Sequence, residues 1–390
     1  MSSKLRSDAP LWQLGFRPFF LVAALFAAVS IGLWLAFLFG ALPYSGFLSP
    51  VIWHSHEMVF GFASAVIAGF VMTAVQNWTG IRGVHGGKLQ AIFALWVAAR
   101  ILLLAPPPLK VLAAVADLSF YPLLALYLIP YLRDSEMRVE RVFFAYFALY
   151  FTGNLLVHLE SFGLVSGYSQ QGILLGLYTT VIMVIFMGGR VIPFFTESSI
   201  AKAQPKTWNT IEVLSHVTAW VFLATQIFMR ESPLSAAVAF STASIHLIRL
   251  SGWYVRRIRR VPVIWVLHVA YLWIVVGFAL SGFVSLGMVA STIAVHAYTV
   301  GALGTVIYGM ISRVSLGHTG RPLRPQTSVV VGYYLLTAAA LVRVLVVLID
   351  SALHDGAVIA SGLLWMSAFA IFLAAYFPVL TSRRADGRNC

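Results

Sequence analysis

The chain has 390 residues, 60% of them hydrophobic and only 10% charged, with a mean hydropathy of +0.89. That balance marks a polytopic membrane protein and leaves no stretch long or polar enough for a separate soluble domain. The net charge of +13 does not mark a nucleic-acid binder, because the basic residues follow loop parity rather than forming one patch.

A bilayer core takes about 20 apolar residues per helix. Twelve such segments are predicted, at 19–40, 53–78, 88–105, 110–132, 140–164, 170–195, 208–229, 232–250, 261–284, 287–312, 327–349 and 357–380. The first has no small-residue cleavage site and is too long for a signal sequence, so it is read as a retained helix. The second opens on Trp53-His-Ser-His-Glu-Met, two imidazoles and a carboxylate at the head of an apolar run. Segment 3 carries Arg100, read as a snorkelling cation, and segment 4 carries Asp117, either paired or part of a proton path. Segment 5 places Asn154 one turn before His158, where it can fix the tautomer of that ring. In segment 6, Gly188-Gly189-Arg190 followed by Pro193 predicts a break that ends the helix or shapes a quinol or propionate site. Segments 7, 8 and 9 carry His216 beside Glu212, His246 beside Thr242, and His268. Segment 10 carries His296, and segment 11 carries Arg343, which needs a partner or a cavity. The single cysteine, Cys390, excludes an intrachain disulfide and a thiolate metal site.

Of the 26 Lys and Arg residues, all but Arg100, Lys110, Arg230 and Arg343 lie in or beside the amino terminus, the even-numbered loops or the carboxyl tail. Arg82, Arg138, Arg256, Arg257, Arg259, Arg260, Arg321 and Arg324 are examples. The positive-inside rule then places both termini in the cytoplasm. A repeat also shows. Laying His56 on His296, a shift of 240 (296 minus 56), brings Gly61 onto Gly301, Gly69 onto Gly309 and Thr79-Gly80 onto Thr319-Gly320. Half that shift lays Gly69 on Gly189, while His56 falls on Gly176. The expectation is an all-α bundle of 12 transmembrane helices in one domain, 1–390, built from three parallel four-helix repeats near 1–130, 131–250 and 251–390.

With that topology the histidines fall into two tiers. His54, His56, His158 and His296 lie toward the outer face; His216, His246 and His268 lie toward the cytoplasm. His85, His318 and His354 fall in loops. An imidazole is neutral near pH 7, so its burial is less costly than a carboxylate's, and its ring nitrogen binds haem iron or copper. The bland alternative is hydrogen bonding between helices. His54 and His56, two positions apart, point to opposite faces of a regular helix and serve one metal only if the helix begins between them. His54 and Glu57 share a face. The expected outer site has a haem on His56 and His296 together or on one of them alone, His54 and His158 on a second metal, with copper the leading choice, and Glu57 as proton relay or further ligand. Two of His216, His246 and His268 are expected to hold a second haem.

The runs Gly15-Phe-Arg-Pro-Phe-Phe, Trp53-His-Ser-His-Glu-Met-Val-Phe-Gly-Phe, Asn77-Trp-Thr-Gly, Gly188-Gly-Arg-Val-Ile-Pro and Gly317-His-Thr-Gly-Arg-Pro-Leu resemble the NnrS family over nearly the whole chain. Gln76 departs from the proline expected before Asn77. The resemblance implies a bacterial inner-membrane protein with haem b and copper, tied to nitric oxide and nitrosative stress. An oxidoreductase that reduces NO to N2O with quinol as donor is the leading expectation. A haem/copper NO sensor or a metal-handling transporter is the alternative, and a proton-coupled transporter a more distant one. Twelve helices in three arcs are also similar to the catalytic subunit of haem–copper oxidases, where histidines on helices 2 and 10 share a haem; that likeness concerns the fold alone.

Overall fold

The computed structural model describes residues 9–133 and 139–387; Arg138 and Cys390, used above, lie outside them. Among the described residues there is no strand, and twelve long helices follow in order. They are α1 (Phe16–Leu38), α2 (Pro50–Thr79), α3 (Gly86–Leu102), α4 (Pro107–Leu132), α5 (Val142–Ser161) and α6 (Ser169–Ser199). Then come α7 (Asn209–Phe228), α8 (Pro233–Trp253), α9 (Pro262–Ser285), α10 (Ser291–His318), α11 (Thr327–Ile349) and α12 (Ser351–Thr381). All but α3, which has 17 residues, are long and apolar enough to cross a bilayer. This is a multi-pass membrane protein.

Local chemistry sets the helix ends. Pro50, Pro233 and Pro262 occupy first-turn positions, where a missing N–H costs nothing. Ser49 and Ser232 cap the helices that follow them through their hydroxyl oxygens. Arg17 in α1 is buried and donates to the carbonyls of Leu380 and Ser382 at 2.9 and 2.7 Å, so a cation meets the unpaired carbonyl end of α12. Gln76, the departure noted above, accepts the Gly83 N–H at 3.1 Å and ties the end of α2 to the chain beyond it.

The break expected in segment 6 does not occur. Helix α6 runs through Gly188, Gly189 and Pro193 to Ser199. The glycines serve a neighbour instead, as described below.

Three stretches open into π turns: Glu57–Ala63 in α2, Ala297–Gly304 in α10 and Val342–Val346 in α11. The first two begin at the residue after His56 and after His296, the two positions joined by the shift of 240. Helix α6, where the third copy would lie, is α-helical throughout. The chain divides into two compact units, one within 1–176, 314–322 and 372–390, the other within 177–313 and 323–371.

Candidate metal centre

The first unit holds a polar group built from four helices. His56 and Glu57 come from α2, Arg100 from the end of α3, Asp117 from α4, and Asn154 and His158 from α5. None is more than 5% exposed. Their positions near the start of α2 and α4 and the end of α3 and α5 bring them to one level, as alternating helix directions require.

The contacts are dense. His56 presents Nδ1 to Glu57 Oε1 at 2.9 Å, and Nε2 to Asn154 Oδ1 at 2.8 Å and Asp117 Oδ2 at 3.1 Å. His158 donates from Nε2 to the same Asp117 Oδ2 at 3.0 Å. Asn154 donates from its amide to that oxygen at 2.8 Å, which fixes which way the amide points. Arg100 donates to Glu57 Oε1 at 2.8 Å and, through its other terminal nitrogen, to Asp117 Oδ1. Taking charged groups out of water is tolerable only with this degree of pairing.

The π turn helps assemble the group. A wide turn frees a backbone carbonyl, and Trp96 Nε1 donates to Gly61 O at 3.1 Å. Gly61 is also a passage: a Cβ there would lie 2.8 Å from the Phe26 ring and 3.0 Å from Arg100 Nη1. The arginine reaches Glu57 because no side chain stands in the way.

Three atoms are left over. Glu57 Oε2, His158 Nδ1 and Arg100 Nε are shielded from solvent and have no hydrogen-bond partner. Meanwhile one donor atom each from His56, Asp117 and His158 lies within 4.8 Å of the others, a buried His/Asp/His group able to hold one metal ion. It is the one such group among the described residues.

The expected residues distribute unevenly. His56 and His158 meet, and their rings stand 5.8 Å apart. His54 leaves the other side of a regular helical turn and stacks on Trp34 at 4.5 Å and 11°. Helix α2 begins at Pro50, before both histidines, so the condition for His54 and His56 to share an ion is not met. Glu57 turns its carboxylate to His56 and Arg100. Asn154 orients His56 and Asp117, not His158 as the one-turn spacing suggested. His296 belongs to the second unit and donates from Nδ1 to Thr292 O at 2.6 Å.

His216, His246 and His268 lie in the second unit. His216 and His268 each donate from Nδ1 to the carbonyl four residues earlier, at 2.8 and 3.0 Å. His268 Nε2 also faces Trp253 O at 3.4 Å. His246 donates from Nε2 to Ser215 O at 3.2 Å, accepts at Nδ1 from Tyr271 at 2.7 Å, and stacks on Phe278. Thr242 bonds to backbone carbonyls rather than to His246. Glu212 offers its carbonyl to His216 while its carboxylate takes a fork from Arg249, Nε to Oε1 at 2.9 Å and Nη2 to Oε2. Arg249 donates further to Tyr271 at 2.9 Å and to Ile185 O at 3.0 Å. It passes over Gly189, where any Cβ would collide with its guanidinium.

Arg100 belongs to this group although the sequence left it outside; Asp117 was read as paired or part of a proton path, and Asn154 only as a neighbour of His158. Arg100 does not snorkel; its charge is spent inward on two carboxylates. The available signal was an acid and an arginine at matched depth near corresponding helix ends, in segments that the histidines flank.

A sequence model of the family described as NnrS protein matches residues 10–384. The chain belongs to the NnrS family, which links it to the response to nitric oxide. No curated protein matches it.

Proposed function

We propose that His56, Asp117 and His158 of this NnrS-family chain hold one transition-metal ion, and that nitric oxide is bound and reduced to N2O there. The observation that carries this reading is the convergence of three buried donor atoms from three helices. Bonds of about 2.0–2.1 Å to a tetrahedral ion set its donors about 3.3 Å apart. The two imidazole nitrogens stand 3.1 and 3.0 Å from Asp117 Oδ2, so an ion replaces the shared protons with a shift of a few tenths of an ångström. Two imidazoles and a carboxylate suit iron or copper and leave positions open for a diatomic ligand.

The haem expectation fits some histidines better than others. A histidine that would hold a haem keeps Nδ1 on a hydrogen-bond acceptor and leaves Nε2 free. His296 and His216 make that Nδ1 bond. His56 and His246 have both nitrogens engaged, and His268 faces carbonyls on both sides, so these three do not present that arrangement.

Reduction balances as two NO and one quinol giving N2O, water and quinone. An N–N bond forms, one N–O bond breaks, and two protons leave with the departing oxygen. The bound metal supplies the ligand position for NO. Asn154 holds Asp117 in place, Glu57 Oε1 accepts from His56 Nδ1, Arg100 offsets the carboxylate charge, and Glu57, with Oε2 open, hands over protons. The lysine and arginine distribution supports an inner-membrane setting with cytoplasmic termini and, with it, a centre toward the periplasmic face.

The test uses purified full-length protein in lipid nanodiscs, anaerobic, with quinol. Metal and haem content are measured, then NO consumption and N2O release, for the wild type and for His56→Ala, Asp117→Asn and His158→Ala. The expected result is one N2O per two NO, with metal lost in each variant. Undiminished metal in all three variants refutes the site. Metal loss without NO turnover in the wild type favours a sensor or metal-handling protein.

A further inference from the structure

Five arginines are buried among the described residues: Arg17, Arg100, Arg249, Arg313 and Arg343. Four have evident compensation. Arg17 meets two carbonyls, Arg100 two carboxylates, and Arg249 a carboxylate and a tyrosine. The Arg313 guanidinium lies 3.7 Å from the centre of the Phe195 ring, although its Nη1, like that of Arg343, is sealed without a hydrogen bond. Arg343 is different. It is 8% exposed, its Nη1 is sealed from solvent without a hydrogen bond, and it has no ion pair or ring partner among the described residues. An uncompensated cation within a membrane helix is costly and marks a functional position by default.

Its surroundings add a second, independent sign. Arg343 sits in the π turn Val342–Val346 of α11, and that turn packs on Ser291–His296, the first turns of α10. Single π turns inside α-helices concentrate at functional sites. Here one carries the orphan arginine, and the helical segment it packs against ends at His296, where the next π turn starts.

The shift of 240 says what is missing. It lays His56 on His296 and brings Arg100 to within one turn of Arg343, since Arg100 falls on Ala340. Yet Glu57 falls on Ala297 and Asp117 on Ala357. Both carboxylates that neutralise Arg100 have become methyl groups, while an arginine remains. The next acid along the chain, Asp350, is exposed and spends its carboxylate on the Ala352 N–H at 2.9 Å.

We propose that Arg343 binds an oxyanion of carboxylate shape from outside the chain, next to the turn that ends at His296 in the second unit. The ligand takes the role that Glu57 and Asp117 fill for Arg100 in the first unit. A planar group with two oxygens about 2.2 Å apart, such as acetate, formate or nitrite, matches the guanidinium fork; a spherical halide does not. The same chemistry is offered free in solution or carried on a lipid or cofactor.

The test uses the full-length protein in detergent, washed free of loosely held lipid, titrated with sodium nitrite and sodium acetate against sodium chloride at constant ionic strength. Calorimetry and thermal unfolding read binding, and native mass spectrometry reads molecules that remain bound. Arg343→Met and Arg343→Lys are the variants. Free-anion binding is shown by saturable nitrite or acetate binding in the wild type, at least tenfold weaker in Arg343→Lys and absent in Arg343→Met, with chloride inert. A carried anion is shown if the wild type binds neither salt but retains an anionic lipid or cofactor that Arg343→Met lacks. Equal anion affinity in wild type and Arg343→Lys overturns the proposal. So does a wild type with neither salt binding nor a retained anion that depends on Arg343. The lysine variant keeps a charge at the site, so the comparison survives if the methionine variant does not fold.

Discussion

Arg100 and Arg249 perform the same manoeuvre and arrive in different kinds of place. Each threads past a glycine, Gly61 or Gly189, to reach a glutamate, and each has histidine chemistry nearby. Around Arg249 the bonds close. The arginine donates to Tyr271, Tyr271 to His246, and His246 to the Ser215 carbonyl, so every group has a suitable partner. Around Arg100 they do not close, because Glu57 Oε2 and His158 Nδ1 are buried and unused, and two imidazoles share one carboxylate oxygen. A saturated network holds helices together. A network with surplus acceptors has room for an ion or a proton, and that difference is why the metal site is proposed in the first region and not the second.

The two regions should differ most when each loses its arginine. Arg100→Met leaves Glu57 and Asp117, both almost fully buried, without their cation, and a loss of about 3–5 kcal/mol is expected. Arg249→Met leaves Glu212, which is 28% exposed and can regain water, so about 1–2 kcal/mol is expected. Reversible unfolding in mixed micelles measures both. Equal losses would mean that the two clusters are alike after all.

Metal content separates the regions next. Asp117→Asn should lower affinity for the bound ion by about 100-fold or more, and Asn154→Ala, which only orients the ligands, by about 10–100-fold. His246→Gln should leave it unchanged. Competition with a chelator of known affinity gives the ratios. A drop in the His246 variant equal to that in Asp117→Asn would move the centre to the second unit.

The glycines give a smaller contrast. Gly189→Ala drives a methyl into the Arg249 guanidinium and should break the fork to Glu212, costing about 1–3 kcal/mol. Gly61→Ala meets Phe26 and Arg100 at slightly longer range, and should cost a similar amount while also weakening metal retention. If Gly61→Ala destabilises without touching metal content, Arg100 is a structural cation alone.

How far the sequence led can be followed residue by residue. The helices were plain, because about 20 apolar residues in a row admit little else. His56 and His296, which the shift of 240 lays together, are each followed at once by a π turn, while the third position has none. What hydropathy hides is rotation. Asp117 and Arg100 each read as an isolated charge whose partner lay on another helix, and nothing in a single segment says which way a side chain faces. Spacing within one helix misled for the same reason: Asn154 is one turn from His158 but bonds across to His56 and Asp117. Gly188-Gly189 signalled a break in α6, yet the cause was an arginine on α8 needing room.

The smallest expected effect is also the most local reporter of the first cluster's charge. Tyr44 lies in the link between α1 and α2, against the rings of Phe37 and Trp53, with its hydroxyl buried and unpartnered. Burial first, and the negative charge of Glu57 second, raise that hydroxyl above the ordinary tyrosine range. The folded state therefore prefers the protonated ring more than the unfolded chain does. Its contribution is complete below the unfolded value of about 10 and is lost as pH climbs beyond it. Tyr44→Phe should change stability at pH 7 by less than about 1 kcal/mol, since no hydrogen bond is removed. It should also flatten the decline of stability between about pH 9 and 11. Glu57→Gln should shrink the difference between wild type and Tyr44→Phe in that window, whereas Glu212→Gln should leave it alone. A difference untouched by Glu57→Gln would mean that burial alone holds the Tyr44 proton, and that Tyr44 does not sense the charge on Glu57.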